Sequence, residues 1–442
     1  MTGPATGEPD RRLTAPMRTS GTRNAASAIL ILLALGFALR LIIAYLLPGS
    51  GFANDLASFR GWANDLFTNG LFGFYQRPGF HDYTPGYLYY LWVLGGLART
   101  FPTLDLVKMP AILSDLAIGW LIWSMILELG GGRRAALSGA ALYLFVPITW
   151  FDSVVWGQVD SVGIVFLLLS VRALWRDRPE LASVFAVVAA LIKPQLGIII
   201  FVAAAVLLRR YLVDPLMQAT AEGPAGERPA GEGPAAAGES PRTAPPTEAG
   251  EPARPDGPGP AWLSSTRGPL RLATSAVAGL ATAVGLSLPF GLGLPGLIDQ
   301  VFKTAGGYPY ITVNAYNPWA LVERGGAGLA ATGQWLCDAV TGTAADTSCP
   351  PGSQLQVAGM PALVVGGLLM ALVLAAILVV VMWRPDRQTI LVGLAVLALA
   401  LFVVPTRVHE RYLFPFFAVG QSWPRSRCAG GRRSRSLPWR TS

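Results

Sequence analysis

The sequence predicts an all-α polytopic membrane protein, a bundle of about nine to eleven membrane helices whose chemistry sits on outer loops. Three observations carry this. Of 442 residues, 52% are hydrophobic and only 14% are charged, against about 25% charged in a soluble domain. The apolar residues fall in long runs, and the arginines fall mostly between those runs. Lysine occurs only at 108, 193 and 303, against 31 arginines, so arginine marks topology and each lysine calls for its own explanation. Three cysteines exclude a disulfide scaffold or a cysteine-rich metal cluster.

The first apolar run, 25–47, exceeds the ~20 residues that a hydrocarbon core requires. It follows Arg11, Arg12, Arg18 and Arg23, which places the N-terminus in the cytoplasm. No small-residue cleavage site closes a short apolar region, so this reads as an uncleaved span rather than a signal peptide. Further runs occupy 87–101, 109–127, 135–151, 162–175, 181–192, 196–212, 270–290, 362–383 and 390–404, and a last one begins at Tyr412. If 87–101 were a full crossing, Arg133 with Arg134, Arg176 with Arg178, and Arg209 with Arg210 would all lie outside. That segment opens with Pro85 and Gly86 and is rich in Tyr and Trp suited to an interface. Read as interfacial, it returns all three pairs to the cytoplasm. Segments 54–84, 150–160, 193–195, 291–360 and 406–411 then share the outer side.

The chain divides accordingly. Residues 1–24 form a cytoplasmic tail, and 25–212 a first membrane block with an outer loop at 48–86. Residues 213–268, rich in Pro, Ala, Gly and Glu, read as a disordered cytoplasmic linker. Residues 269–420 form a second block with a large outer loop at 291–360, and 421–442 form an anomalous basic tail. The net charge of +8 is distributed unevenly. The tail holds six arginines and no acid, the first 24 residues hold four arginines against Glu8 and Asp10, and the linker holds four against eight acids. Most of the basicity is therefore topology and tail, which removes the nucleic-acid reading that a basic soluble protein would invite.

Five constellations on the outer side carry chemistry. Asp55 lies just beyond the first span, where a partly desolvated carboxylate acts as a general base; from position alone a solvated acid paired with Arg60 is the plainer reading. Gln158 and Asp160, with Asp152 upstream, stand at the mouth of an apolar helix, where function and helix capping by Asp160 and Ser161 weigh equally. Lys193, ahead of Pro194 and Gln195, suits an anionic phosphate, with snorkelling to lipid headgroups as the alternative. Arg407, His409 and Arg411 gather positive charge against the positive-inside rule, and in a helix Arg407 and Arg411 would share a face and clamp a phosphate. Asn314, Asn317 and Trp319 offer hydrogen bonds and stacking to a sugar, or structure to a loop. In the same loop Cys337 and Cys349 pair in an oxidising compartment or remain two free thiols.

Walker A, GxGxxG, HExxH and CxxC patterns are missing, which disfavours an ATP-driven pump or a nucleotide-sugar enzyme. Taken together, Asp55, the run His81-Asp82-Tyr83-Thr84-Pro85-Gly86-Tyr87, Trp156 to Asp160, Lys193 to Gln195, Asn314 to Trp319 and Arg407 to Pro415 resemble the GT-C superfamily of integral-membrane glycosyltransferases. The nearest branch is similar to the second mannosyltransferase of GPI-anchor assembly. Each motif is short; their joint order from residue 55 to 415 is what is specific.

The resemblance implies a GT-C-like bundle and an inverting transfer of a hexose, mannose in the nearest branch, from a polyprenyl-phosphate donor to a hydroxyl of a glycan, lipid or protein. It implies Asp55 as the base, which reverses the positional reading. It implies Lys193, Arg407, His409 and Arg411 around the phosphate, and Asp82, Tyr83, Gln158, Asp160, Gln195, Asn314, Asn317 and Trp319 toward donor sugar or acceptor. Some members of the superfamily bind a divalent cation and others do not, and no ligand set stands out here. The expected location is a bacterial plasma membrane with an extracytoplasmic site. A transporter or flippase of a lipid-linked saccharide is the competing class, and a ligase or polymerase using a diphosphate-linked donor is a third. The sequence departs from the family at the 213–268 insertion and after Gly420, where an expected apolar span gives way to an arginine-rich run that reads as a shifted or truncated frame.

Overall fold

The computed structural model describes residues 20–47, 51–221, 268–339 and 349–422. The basic tail, apart from its first two residues, and most of the linker lie outside them. The first membrane block holds α1 (Ser20–Leu41), α2 (Ala53–Asn69), α3 (Pro85–Thr100), α4 (Met109–Glu128), α5 (Arg133–Phe145), the short α6 (Pro147–Trp150), α7 (Asp160–Trp175), α8 (Pro179–Ile192) and α9 (Ile198–Leu208). Then come α10 (Asp214–Ala221), α11 (Pro269–Ser287), α12 (Leu294–Gly306), the short α13 (Leu329–Thr332), α14 (Ala362–Trp383), α15 (Arg387–Val403) and α16 (Phe414–Gln421). Of the expected linker, residues 213–221 are helical.

Among the described residues, five helices are long and apolar enough to cross a membrane: Ser27–Leu46, Met109–Glu128, Pro194–Met217, Pro269–Phe290 and Ala362–Trp383. A sixth arises if Arg133–Phe145 and Pro147–Trp156, bent by 48°, make one broken span. The chain is therefore a helical membrane protein, with fewer full-length spans than the apolar runs suggest. The shortfall has a local cause. Helices α3, α7, α8 and α15 have 14 to 17 residues, and proline punctuates their ends. Pro194, for example, drives Lys193 into an extended conformation (φ −142°, ψ 117°), as expected for a residue before proline, and so stops α8. The 16 residues of α3 make about 24 Å of helix, less than a ~30 Å hydrocarbon core.

The core is built from α4, α5, α7 and α9, whose buried Leu, Ile, Val and Ala residues form one cluster. A second cluster joins α2 and α3 to Val159 and Phe290. Glycine permits the close approaches: a Cβ at Gly95 would fall 2.0 Å from the Ala63 carbonyl oxygen, and one at Gly86 2.6 Å from the Leu191 carbonyl. Helix α3 is thereby pressed onto α2 and onto the end of α8.

Because successive helices run to and fro, the bundle has two chemically distinct ends. At one end Arg172 and Arg176 pair with Glu128, Arg387 donates to the carbonyls of Glu128 and Trp175, and Arg210 donates to those of Leu174 and Pro385. The opposite end carries Asp55, Gln158, Asp160, Lys193 and Arg411.

Within the bundle Arg40 and Asp115 form an ion pair of 2.8 Å with both side chains fully buried. Arg40 also donates to the carbonyls of Gly36 and Leu144, and Asp115 accepts from Tyr143 and Ser153. Removing one member of a buried pair strands the other charge in an apolar surrounding. Arg40→Met is expected to lower stability by about 3–5 kcal/mol, and the double variant Arg40→Met/Asp115→Asn to lose less than the single one. Thermal melting of detergent-purified protein checks this; equal melting of wild type and Arg40→Met would refute it.

Candidate functional site

Asp55 sits in the first turn of α2, and its setting comes from the segment between α6 and α7. Residues 151–156 form one wide π-helical turn, which Gly157 closes in the left-handed region (φ 83°). A Cβ there would meet Leu56 at 2.6 Å. The Asp152 carbonyl accepts from the amides of both Gly157 and Gln158, reversing the chain tightly. The reversal aims two side chains at one carboxylate oxygen: Trp156 Nε1 donates to Asp55 Oδ2 at 2.7 Å and Gln158 Nε2 at 2.6 Å. Among the described residues no donor reaches Oδ1. Arg60, the partner that position suggests for Asp55, is taken instead by Asp105 at 2.5 Å.

Next to Asp55, Arg411 Nη1 lies 3.9 Å from Oδ2, with its guanidinium over the Trp156 ring. Its Nε is buried without a hydrogen-bond partner. Arg411 belongs to the lining of a cleft of about 420 Å³ that also includes Asp82, Tyr83, Lys193, Gln195 and His409, as well as Thr304, Tyr308 and Tyr412. Gln158 bridges this cleft to Asp55, since its Oε1 accepts from the Tyr83 hydroxyl at 3.2 Å.

The electrostatics differ from a simple ring of cations. Lys193 Nζ donates to Asp160 Oδ2 at 2.5 Å, and Gln195 reaches the other oxygen at 3.5 Å. Both charges are buried, so each needs the other, and Lys193 enters the cleft already neutralised. His409 is held down at about 3, first by burial and then by Arg411 and Lys193; at neutral pH it is an uncharged imidazole, a hydrogen-bonding group rather than a cation. Asp82 is pushed up to about 6 by burial, against the pull of Arg411, and its Oδ1 is buried with no hydrogen-bond partner. The Glu410 carboxyl is also raised by burial. Arg411 is left as the principal cation of the cleft.

Arg407 goes elsewhere. The segment is not the helix that would align it with Arg411. Arg407 has φ 60°, Val408–His409 is a strand paired in parallel with Thr312–Val313, and Glu410–Leu413 is one 3-10 turn. Arg407 therefore turns to Asp338, donating to its carbonyl at 2.7 Å and lying 3.6 Å from its carboxylate. Asp338 is buried next to Cys337, which is disulfide-bonded to Cys349. Asn314, Asn317 and Trp319 are likewise not part of the cleft lining. Asn314 accepts from Trp335, and Asn317 and Trp319 donate to the carbonyls of Phe402 and Val404, fastening the large loop to the end of α15.

Comparison of the chain with protein-family models and with curated proteins finds no match. The site therefore has to be interpreted from its own chemistry. Trp156, Thr304, Tyr308 and Tyr412 all serve it without having stood out in the sequence as site residues. Trp156 and Tyr412 carried a signal, through their places in the Trp156 to Asp160 and Arg407 to Pro415 motifs. A divalent cation finds no ready cage: among the described residues no group of three His, Cys, Asp or Glu side chains gathers to hold one, and the acids of the cleft face Arg411 and Lys193.

Asp82 gives a pH-dependent signature. Its folded value of about 6 exceeds the ordinary 3.8, so the folded state binds the proton more tightly and the group's contribution declines as pH rises from about 4 to 6. Asp82→Asn is expected to remove that decline, leaving the variant more stable than wild type above pH 6 by up to about 3 kcal/mol. Melting temperatures across pH 4–8 test this, and parallel curves for the two proteins would contradict it.

Proposed function

We propose that the protein is an integral-membrane inverting glycosyltransferase of the GT-C kind, moving a hexose, mannose on the resemblance, from a polyprenyl-phosphate donor to an acceptor hydroxyl on the extracytoplasmic face. The observation that carries this is the Asp55 carboxylate: one oxygen is fixed by Trp156 and Gln158, the other is left for a substrate proton, and Arg411 stands 3.9 Å away. A base held by one oxygen keeps its geometry while the other oxygen works. The collection of arginines at the opposite end of the bundle supports the orientation through the positive-inside rule.

In this reading the acceptor oxygen bonds to the anomeric carbon as its proton passes to Asp55 Oδ1. The bond from that carbon to the phosphate oxygen breaks, and its electron pair leaves on the lipid phosphate. The departing phosphate needs positive charge more than a proton. Arg411 supplies that charge with a fork of donors, and neutral His409 and the lysine of the Lys193–Asp160 pair supply further N–H groups. Asp82, Tyr83 and Gln195 line the remainder of the cleft, where sugar hydroxyls would lie.

Membranes containing the protein are expected to transfer labelled sugar from a polyprenyl-phosphate donor in a donor screen. Asp55→Asn is expected to reduce transfer by about 10²- to 10⁴-fold with unchanged expression. Unimpaired transfer by that variant would remove Asp55 as the base, and export of lipid-linked sugar without glycosidic bond formation would decide for a flippase.

A further inference from the structure

Asp115 belongs to none of the motifs above, yet three side chains from three other elements converge on it. Arg40 of α1 donates to Oδ2 at 2.8 Å, Tyr143 of α5 to Oδ1 at 2.9 Å, and Ser153 to Oδ2 at 2.6 Å. Arg40, Asp115, Tyr143 and Ser153 are all fully buried. Ser153 is the informative member, because it lies in the π-helical turn 151–156, whose far end delivers Trp156 and Gln158 to Asp55. That turn is a single π-helical turn of six residues, whose i→i+5 ladder is too short to set its orientation against the bundle. Beyond that ladder it is tied by the Ser153 hydroxyl, shared between Asp115 and the Thr149 carbonyl, and closed by the Asp152 carbonyl, which takes the amides of Gly157 and Gln158.

We propose that Asp115 is a positioning residue: held by Arg40 and Tyr143, it anchors the π-helical turn through Ser153 and thereby sets the two donors that orient the Asp55 carboxylate. The proposal rests on the glycosyl-transfer reading for its catalytic consequence, but the mechanical link stands apart from that reading. A carboxylate at this depth is costly unless paired. The Arg40 pair makes Asp115 a fixed ionised acceptor, and hydrogen bonds to an ionised acceptor are short and directional. A neutral amide at 115 would keep the shape and weaken the hold, and it would also leave the Arg40 charge unpaired. Misplacement of a reacting group by about 1 Å lowers a rate on the order of a hundredfold, so a small rotation of the turn suffices for a large effect.

Two measurements test this on the full-length protein in detergent or nanodiscs. The first requires no substrate: hydrogen exchange at the amides of Gly157 and Gln158 is expected to accelerate in Ser153→Ala with the exchange of α7 and α9 unchanged, to return toward wild type in Ser153→Thr, and to accelerate relative to α7 and α9 in the double variant Arg40→Met/Asp115→Asn, which leaves no charge stranded. Wild-type exchange at both amides in Ser153→Ala would overturn the proposal, as would acceleration spread evenly over the bundle, which is what a merely structural role gives. The second is transfer kinetics: kcat is expected to fall on the order of ten- to a hundredfold in Ser153→Ala with the donor KM unchanged, and to recover in Ser153→Thr. If Asp55→Asn abolishes transfer while Ser153→Ala retains full kcat, the positioning role fails and the enzymatic reading survives. If Asp55→Asn transfers normally, the enzymatic reading fails, and the exchange of Gly157 and Gln158 still decides whether Asp115 anchors the turn.

Discussion

Two ion pairs, Arg40 with Asp115 and Lys193 with Asp160, lie where almost no water reaches, and the site end of the bundle is arranged around them. Each joins different elements: the first ties α1 to α4, and the second ties the start of α7 to the break after α8. A lone charge at either place would carry a desolvation penalty of several kcal/mol, so the helix ends are free to move only if both partners move together. The second pair also sets the polarity of the cleft. With Lys193 committed to Asp160 and His409 kept neutral by burial, the positive charge open to a ligand is concentrated on Arg411.

Residues 294–321 of the large outer loop work as a roof that organises both walls of the cleft. On one side Gln300 and Thr304 of α12 donate to the carbonyls of His81 and Asp82. On the other side the strand Thr312–Val313 pairs with Val408–His409, while Asn317 and Trp319 fasten the loop to the end of α15. One connected segment thus fixes the distance between Asp82 and Arg411, two residues more than 300 positions apart in the chain. Polar and aromatic residues in this loop serve as staples here, although their types alone suit a sugar equally well.

Much of this architecture was legible in the chain, because a hydrophobic run long enough to cross a bilayer leaves little choice of structure. The span 362–383 was readable to the residue, and the segments carrying Asp55, Gln158, Lys193 and Arg411 could be grouped from topology before any contact was known. Partner choice was not legible. Arg40 lies inside an apolar run whose average hides a single charge, and nothing local says that Asp115, 75 residues away, neutralises it. Asp55 was drawn to Arg60 by proximity in sequence, whereas α2 turns Arg60 toward Asp105. Arg407 and Arg411 have helical spacing, but the pairing of Val408 and His409 with the roof is a tertiary event that overrides it. In the same way, linker-like composition extends back to residue 214, where the helix continues without a break from the turn at Arg209–Val213.

The backbone at Arg407 has a consequence of its own. An arginine in the left-handed region is disfavoured by roughly 1–2 kcal/mol, and here it is kept there by the Asp338 contacts and by its amide, which donates to the Ile311 carbonyl. Any event that parts the roof from this strand returns that energy. The seam between Ile311 and Arg407 is therefore a strained point in the fastening of the loop. Because His409 and Arg411 follow within four residues, that strain is borne directly beside the imidazole and the guanidinium of the cleft.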